Sequence, residues 1–516
     1  MSADNMSQWH NPTKNNTGPS CPVERKDVEK NAIYELDLGC VGKIDKLVLR
    51  KQSLFVQKYS VCPDEFPLIY PGEEFFFLSK MLHLTRNDIW ALNVSGIITN
   101  NPLEQFFFSS SFSQQVSLMK TGFLSHVYHS APCPKPILHW LFQLMSSNLN
   151  TSRDSFKTLW EISISTLITS EHAGQNMWSP SLKDIDSVLQ NLGASLFAMY
   201  PLEKLDTKSR CTFMRYALLH QKKYSRNSMY SHLLVTNLNN IMKFLTLCAL
   251  ECPHGLSDQE LLILITLLCR ISLDVNLKHE PKEDLRQLLL ILLEKITDWL
   301  VQMPKLCISL SQISSHHHNL LSVVQMIPDT TNKAQQMKKQ LSLLIIAKLM
   351  SKDTGPLLWV ENLQLPFICE LLKDMKPSSL KLYLEQRLEA ADPEKEITQR
   401  ELDWEACYLC HTLLKLANIV VAAKKISLNK WIYLQKLCIQ LNRHIINNIR
   451  ENPVIMYRSK LKDLATYNYI KWKDMLFEDP RKMQYSWVQF TDYQDPGNEG
   501  VGVGGTPKES LETPKE

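Results

Sequence analysis

Cys407-Tyr-Leu-Cys410-His411 is the sharpest chemical pattern in this 516-residue chain. In a c-type haem attachment site two such thiols form thioethers and the following imidazole ligates iron. The same three side chains would also make half of a zinc site, with Cys248, Cys252 and His254 as the other half. Haem attachment needs an exported chain, however, and Met1 to Gly18 is polar, without the apolar stretch of a signal peptide. Cys407, Cys410 and His411 also sit in a helical pattern in which Trp404, Leu414 and Asn418 share their face. Buried cysteines packed without metal are therefore the preferred reading, and a metal- or haem-binding helical protein is the alternative.

Two further groups invite chemistry. His316, His317 and His318 would suit a metal or a pH sensor, but they follow Ser314 and Ser315 and precede Asn319-Leu-Leu, the composition of a loop and helix cap. Between Met456 and Asp474, five basic residues face only Asp463 and Asp474 and alternate with aromatic side chains. Tyr457, Arg458, Lys460, Lys462, Lys471 and Trp472 are accordingly the candidate partner-binding residues, for an acidic protein face or, as a second alternative, a nucleic-acid backbone. The competing reading is an ordinary amphipathic helix with solvated lysines. No nucleophile elbow, Walker loop, GxGxxG turn or HExxH pair occurs, so no catalytic residue is assigned. No cofactor and no small-molecule substrate are expected.

The elements that would position these residues are helices. Only 15 glycines occur, and between Gly122 and Gly497 just Gly174, Gly193, Gly255 and Gly355 interrupt the chain, too few for the tight turns of an all-β or Rossmann fold. With 57 basic and 53 acidic residues the net charge is +4, which argues against nucleic acid as the default partner. The cysteines lie in apolar contexts that suit a reducing compartment. No stretch reaches the ~18 uninterrupted apolar residues of a membrane helix, so no membrane partner is expected.

Residues 1–30 read as a disordered lead and 31–101 as an irregular arm with short apolar runs at Leu47–Leu49, Phe66–Tyr70 and Phe75–Leu78. Helical spacing governs 102–205. The basic, polar stretch 206–230, with Lys222, Lys223 and Arg226, reads as a linker or insertion. Helical patterning resumes over 231–490. A Gly-rich tail, 491–516, carries Thr506-Pro and Thr513-Pro.

Within the second helical region, Ser257 with Glu260 predicts a capping box opening a helix that runs to Leu273. Leu285 to Met303 predicts one long apolar stripe that Pro304 stops. Trp431, Leu434, Cys438, Leu441, Ile445 and Ile449 recur every three or four residues, so that helix is expected to lie along a partner helix. The fold expected is all-α: irregular stacked helical hairpins, a HEAT-like α-solenoid, with a short, less regular N-terminal segment.

Four stretches carry a family resemblance: Gly122 to Trp140, Trp178 to Ile185, Ser314 to Leu321 and Tyr457 to Leu464. Together they resemble the CANIN domain of the localisation factors of the Smc five/six complex, the family with sequence similarity 178 and its shorter branch in particular, over about residues 45–490. The resemblance implies an all-helical, non-enzymatic scaffold that docks on Smc complex subunits in the nucleus, in DNA repair and genome stability. It also marks 231–490 as a CANIN-like subdomain. Larger members carry a long N-terminal region where this sequence has a short lead, which puts recruitment to damage in doubt.

Overall fold

The computed structural model describes residues 65–77, 91–92, 101–170, 177–200, 228–252, 255–352, 359, 363–391, 398–422, 428–451 and 455–477. The lead, the tail with Thr506 and Thr513, the run Leu47–Leu49, His254 and the stretch 201–227 lie outside these residues. The last three positions of the expected linker open a helix instead.

Among the described residues the regular elements are helices. In chain order the helices are α1 (Pro102–Ser109), α2 (Phe112–Lys120), α3 (Phe123–Val127), α4 (Lys135–Leu144), α5 (Leu149–Ser170), α6 (Leu182–Asn191) and α7 (Leu196–Met199). There follow α8 (Ser228–Glu251), α9 (Asp258–Ser272), α10 (Glu283–Lys295), α11 (Trp299–Ser311), α12 (His317–Met326) and α13 (Asn332–Leu349). The chain closes with α14 (Gln364–Asp374), α15 (Pro377–Ala391), α16 (Gln399–Val421), α17 (Leu428–Arg443) with a π turn at His444–Asn448, and α18 (Met456–Phe477).

Local chemistry explains many of the starts. Ser181, Ser257 and Thr398 each donate their backbone N–H to the carboxylate three residues on, at 2.8, 2.8 and 3.0 Å, the reciprocal bond of a capping box. Ser111 does the same with the side-chain oxygen of Gln114, at 2.9 Å, and so divides α1 from α2.

The long stripe from Leu285 to Met303 is also two helices, and Pro304 lies inside the second. The break comes earlier because Asp258, at the start of α9, accepts from Thr297 N, Thr297 Oγ1 and Asp298 N at 3.0, 2.9 and 2.9 Å. Pro304 is tolerated since the carbonyl it deprives is that of Leu300, on the solvent side of α11.

The helix α8 has the length and apolarity to cross a membrane. Here it packs on α5 and α10, and its buried Asn237 donates to the Ser147 carbonyl at 2.7 Å. At the centre, α16 touches α12, α13, α14, α15 and α18, more neighbours than strict nearest-neighbour stacking provides.

Residues 65–77 form an extended strap, and it is anchored across this helical body. Phe66, Tyr70, Phe75 and Phe76 are buried. Glu73 N–H donates to the Leu273 carbonyl at 2.8 Å and the Glu73 carbonyl accepts from Val275 N–H at 3.0 Å, a two-bond parallel bridge. The buried Asp274 carboxylate accepts Phe75 N–H and Phe76 N–H at 2.9 and 2.8 Å. Tyr70 donates to the Ser272 carbonyl at 2.8 Å, and Gly72 N–H donates to Asn319 Oδ1 at 3.0 Å. Gly72 has φ +86°, and a Cβ there would meet Leu273 O and Val275 Cγ1 at 3.0 Å, so this position demands glycine twice over.

Candidate functional site

The helices α12 and α16 bring the histidines and the Cys-His motif into one neighbourhood, under the first residues of the strap. His316 caps α12, its Nδ1 accepting the His318 N–H at 3.1 Å. His317 Nδ1 lies 2.8 Å from Thr412 Oγ1, and His318 Nδ1 shares a 2.5 Å hydrogen bond with the Tyr408 hydroxyl. His317 Nε2 is 3.4 Å from Glu405 Oε1 but out of hydrogen-bonding alignment. Phe66 of the strap stacks on Tyr408 at 5.4 Å and packs on His411 at 4.7 Å, with Tyr457 at 6.0 Å.

Burial controls the protonation of this cluster. It depresses His316 and His318 to about 4 and His411 to about 3, with neighbouring histidine and lysine charges adding to the effect. These imidazoles are neutral near pH 7, so they do not sense pH in the physiological range. The cap expected at 314–318 is present, and the triple histidine serves mainly to pack and hydrogen-bond α12 onto α16.

The motif thiols point the same way. Burial pushes Cys407 up to about 12, with Asp403 adding to the rise, and puts Cys410 well above the usual thiol value. Cys410 donates to the Met375 carbonyl at 3.3 Å. A thiol held neutral and already donating is a poor ligand or nucleophile. Cys252 likewise donates to the Met177 carbonyl at 3.3 Å. Among the described residues no three His, Cys, Asp or Glu side chains gather as a metal site requires.

The candidate partner-binding helix α18 divides into two faces, and this corrects the expectation that its six residues share one surface. Tyr457 and Trp472 are 1% and 0% exposed. Tyr457 donates to Asp403 Oδ2 at 2.7 Å, and Trp472 Nε1 donates to Asn418 Oδ1 at 3.3 Å. Arg458 pairs with the same Asp403 carboxylate through Nε at 3.1 Å and through a second guanidinium nitrogen, clamping α18 to α16.

The aromatics lie inward because Tyr457, Leu461, Ala465, Asn468 and Trp472 follow one another at three- and four-residue steps, the period of a buried stripe. Only the lysines remain at the surface: Lys460 is exposed, Lys471 half-exposed, and half-buried Lys462 is 3.2 Å from Glu451. Tyr467 and Ile470 stand outward beside them. Sequence reasoning missed Asp274, Asn319 and Gly72, since their partners lie 198 to 247 residues away and leave no local signal.

Comparison with known proteins bears on what these surfaces meet. The family model described as "Coiled-coil and Nse Interacting (CANIN) domain" matches residues 25–354. Human "Protein FAM178B" is 39% identical over 437 residues, covering 84% of this chain and 63% of that protein. Human "SMC5-SMC6 complex localization factor protein 2" is 33% identical over 440 residues, covering 83% of this chain and 37% of that protein. Its Danio rerio namesake is 32% identical over 435 residues, covering 82% and 38%. The chain thus spans less than two thirds of the length of these relatives.

Proposed function

Because the chain belongs to the CANIN domain family, we propose that it is a non-enzymatic scaffold that docks on subunits of the SMC5-SMC6 complex in the nucleus, in DNA repair and genome stability. The observation that carries this reading is the family match, joined to relatives whose printed name is that of localization factors for this complex. The residues fit such a role. The titratable clusters are consumed by packing, while apolar side chains such as Leu300 and Tyr467 stand out into solvent. The contact set proposed on α18 is Lys460, Lys462 and Lys471, with Tyr467 and Ile470 as apolar anchors between them.

The test is affinity purification of the tagged full chain from nuclear extract, followed by mass spectrometry. Recovery of SMC5-SMC6 subunits, reduced by Lys460→Glu with Lys471→Glu at an unchanged melting temperature, is the expected result. Absence of every subunit would remove this function and leave the fold untouched.

A further inference from the structure

Helix α17 spends one face on α14 and α18, through Leu434, Leu437, Cys438 and Leu441. Its opposite face carries Ile432, Lys436, Ile439 and Arg443, and Ile446 in the π turn and Arg450 just past it follow, all exposed. From Ile432 to Arg443 the steps alternate four and three, the spacing of a coiled-coil seam, so isoleucine and a cation alternate along one stripe, and the exposed Ile446 and Arg450 repeat the pair beyond the helix end. Isoleucine is 53%, 37% and 68% exposed at 432, 439 and 446. The π turn holds the far end: His444 is buried, its Nε2 2.7 Å from the Leu372 carbonyl, and Asn448 Nδ2 donates to its Nδ1 at 3.0 Å.

The charge along this stripe has one sign. No acidic residue occurs from Leu428 to Arg450, and residues 428–477 hold nine basic residues against three acidic ones. Among the described residues no carboxylate pairs with Lys436, Arg443 or Arg450; Lys436 lies over the Tyr433 ring at 5.6 Å.

We infer that this stripe is a docking seam for an acidic amphipathic helix of a partner protein, an inference that rests on the scaffold reading above and names its partner chemistry. Apolar side chains of such a helix would pack between the isoleucines while its carboxylates meet the three cations. A second copy of this chain does not suit the seam, because it would set cations against cations. A nucleic-acid backbone suits it less, because phosphates make no use of an isoleucine at every seventh position.

The test uses the full chain and two labelled designed helices of about 28 residues, with leucine at the seam positions and flanks of glutamate in one and lysine in its twin. Fluorescence anisotropy is expected to give at least about tenfold tighter binding of the glutamate helix. Ile439→Ser with Ile446→Ser lowers that binding by about tenfold, and Lys436→Glu, Arg443→Glu and Arg450→Glu together invert the preference. These side chains are exposed, and circular dichroism checks that the variants stay folded.

Equal or absent binding of the two helices, or indifference to the isoleucine changes, overturns the seam. So does a labelled DNA duplex that binds, loses affinity on charge reversal and ignores the isoleucines. The two readings separate cleanly: a wild type that recovers no SMC5-SMC6 subunit removes the scaffold reading whatever the helices do, and helices that ignore the stripe remove the seam whatever is recovered.

Discussion

Replacing Asp274 tests how the strap is held. Its Oδ2 accepts the N–H groups of Phe75 and Phe76, and its Oδ1 accepts that of Asn276 at 2.7 Å. In Asp274→Ala the two strap donors lose their acceptor inside the core, at about 1–3 kcal/mol each, or roughly 2–6 kcal/mol together. Asn276 is half-buried and can turn to water, so it adds little. Asp274→Asn keeps one oxygen for the strap donors but sets its amide NH2, a donor, against the Asn276 backbone N–H, so its cost of about 1 kcal/mol falls on the Asn276 bond and little on the strap amides.

The assay is hydrogen exchange at the Phe75 and Phe76 amides. At about 1.4 kcal/mol per decade, the alanine variant should exchange roughly 30-fold to 20,000-fold faster, and the asparagine variant within about tenfold of wild type. Equal exchange in wild type and Asp274→Ala would refute the idea that this carboxylate anchors the strap. Equal acceleration by both variants would show that charge, not acceptor number, is what matters.

Three further outcomes are expected. Gly72→Ala should lower the midpoint of chemical unfolding by more than Gly122→Ala. Both glycines have positive φ, at about 1–2 kcal/mol for a side chain, but a Cβ at Gly122 meets nothing within 4 Å. Stability should fall with acidification: His316, His318 and His411 titrate below the ordinary imidazole value when folded, so their contribution is complete above about pH 6.5 and is lost as pH falls toward 4. For His318 alone the loss is about 2 kcal/mol at pH 5, and urea midpoints that do not change between pH 7.5 and pH 5 would contradict it. Asp403→Ala should cost about 3 kcal/mol in the same assay, the low end for breaking a buried pair, because the Arg458 side chain is 25% exposed; Arg458→Ala, which spares the Tyr457 bond, should cost less.

Helix positions were legible because local signals carry them. The Ser257–Glu260 box, with its helix to Leu273, places α9 within a residue or two. Where the signal was long-range, the reading failed. Asp258 ends the stripe after α10 from 39 residues away, and Pro304 was credited with a stop it does not make. On α18 the interleaved aromatics suggested a contact surface, yet the three- and four-residue steps linking Tyr457 to Trp472 already place both on the inner stripe. For the strap at 65–77, nothing near it in the chain indicates Asp274, Asn319 or Tyr408 as its receptors.

That separation matters while the protein is being made. Phe66 leaves the ribosome more than 300 residues before Tyr408 and His411, which at 5–20 residues per second is a wait on the order of half a minute. Tyr70, Phe75 and Phe76 wait a shorter time, until Ser272 and Asp274 are made about 200 residues later, while Phe66 stays without its ring partners through the whole interval. Premature termination anywhere before α16 leaves Phe66 without its ring partners, so prematurely ended products should be chaperone clients or aggregates, not smaller working scaffolds.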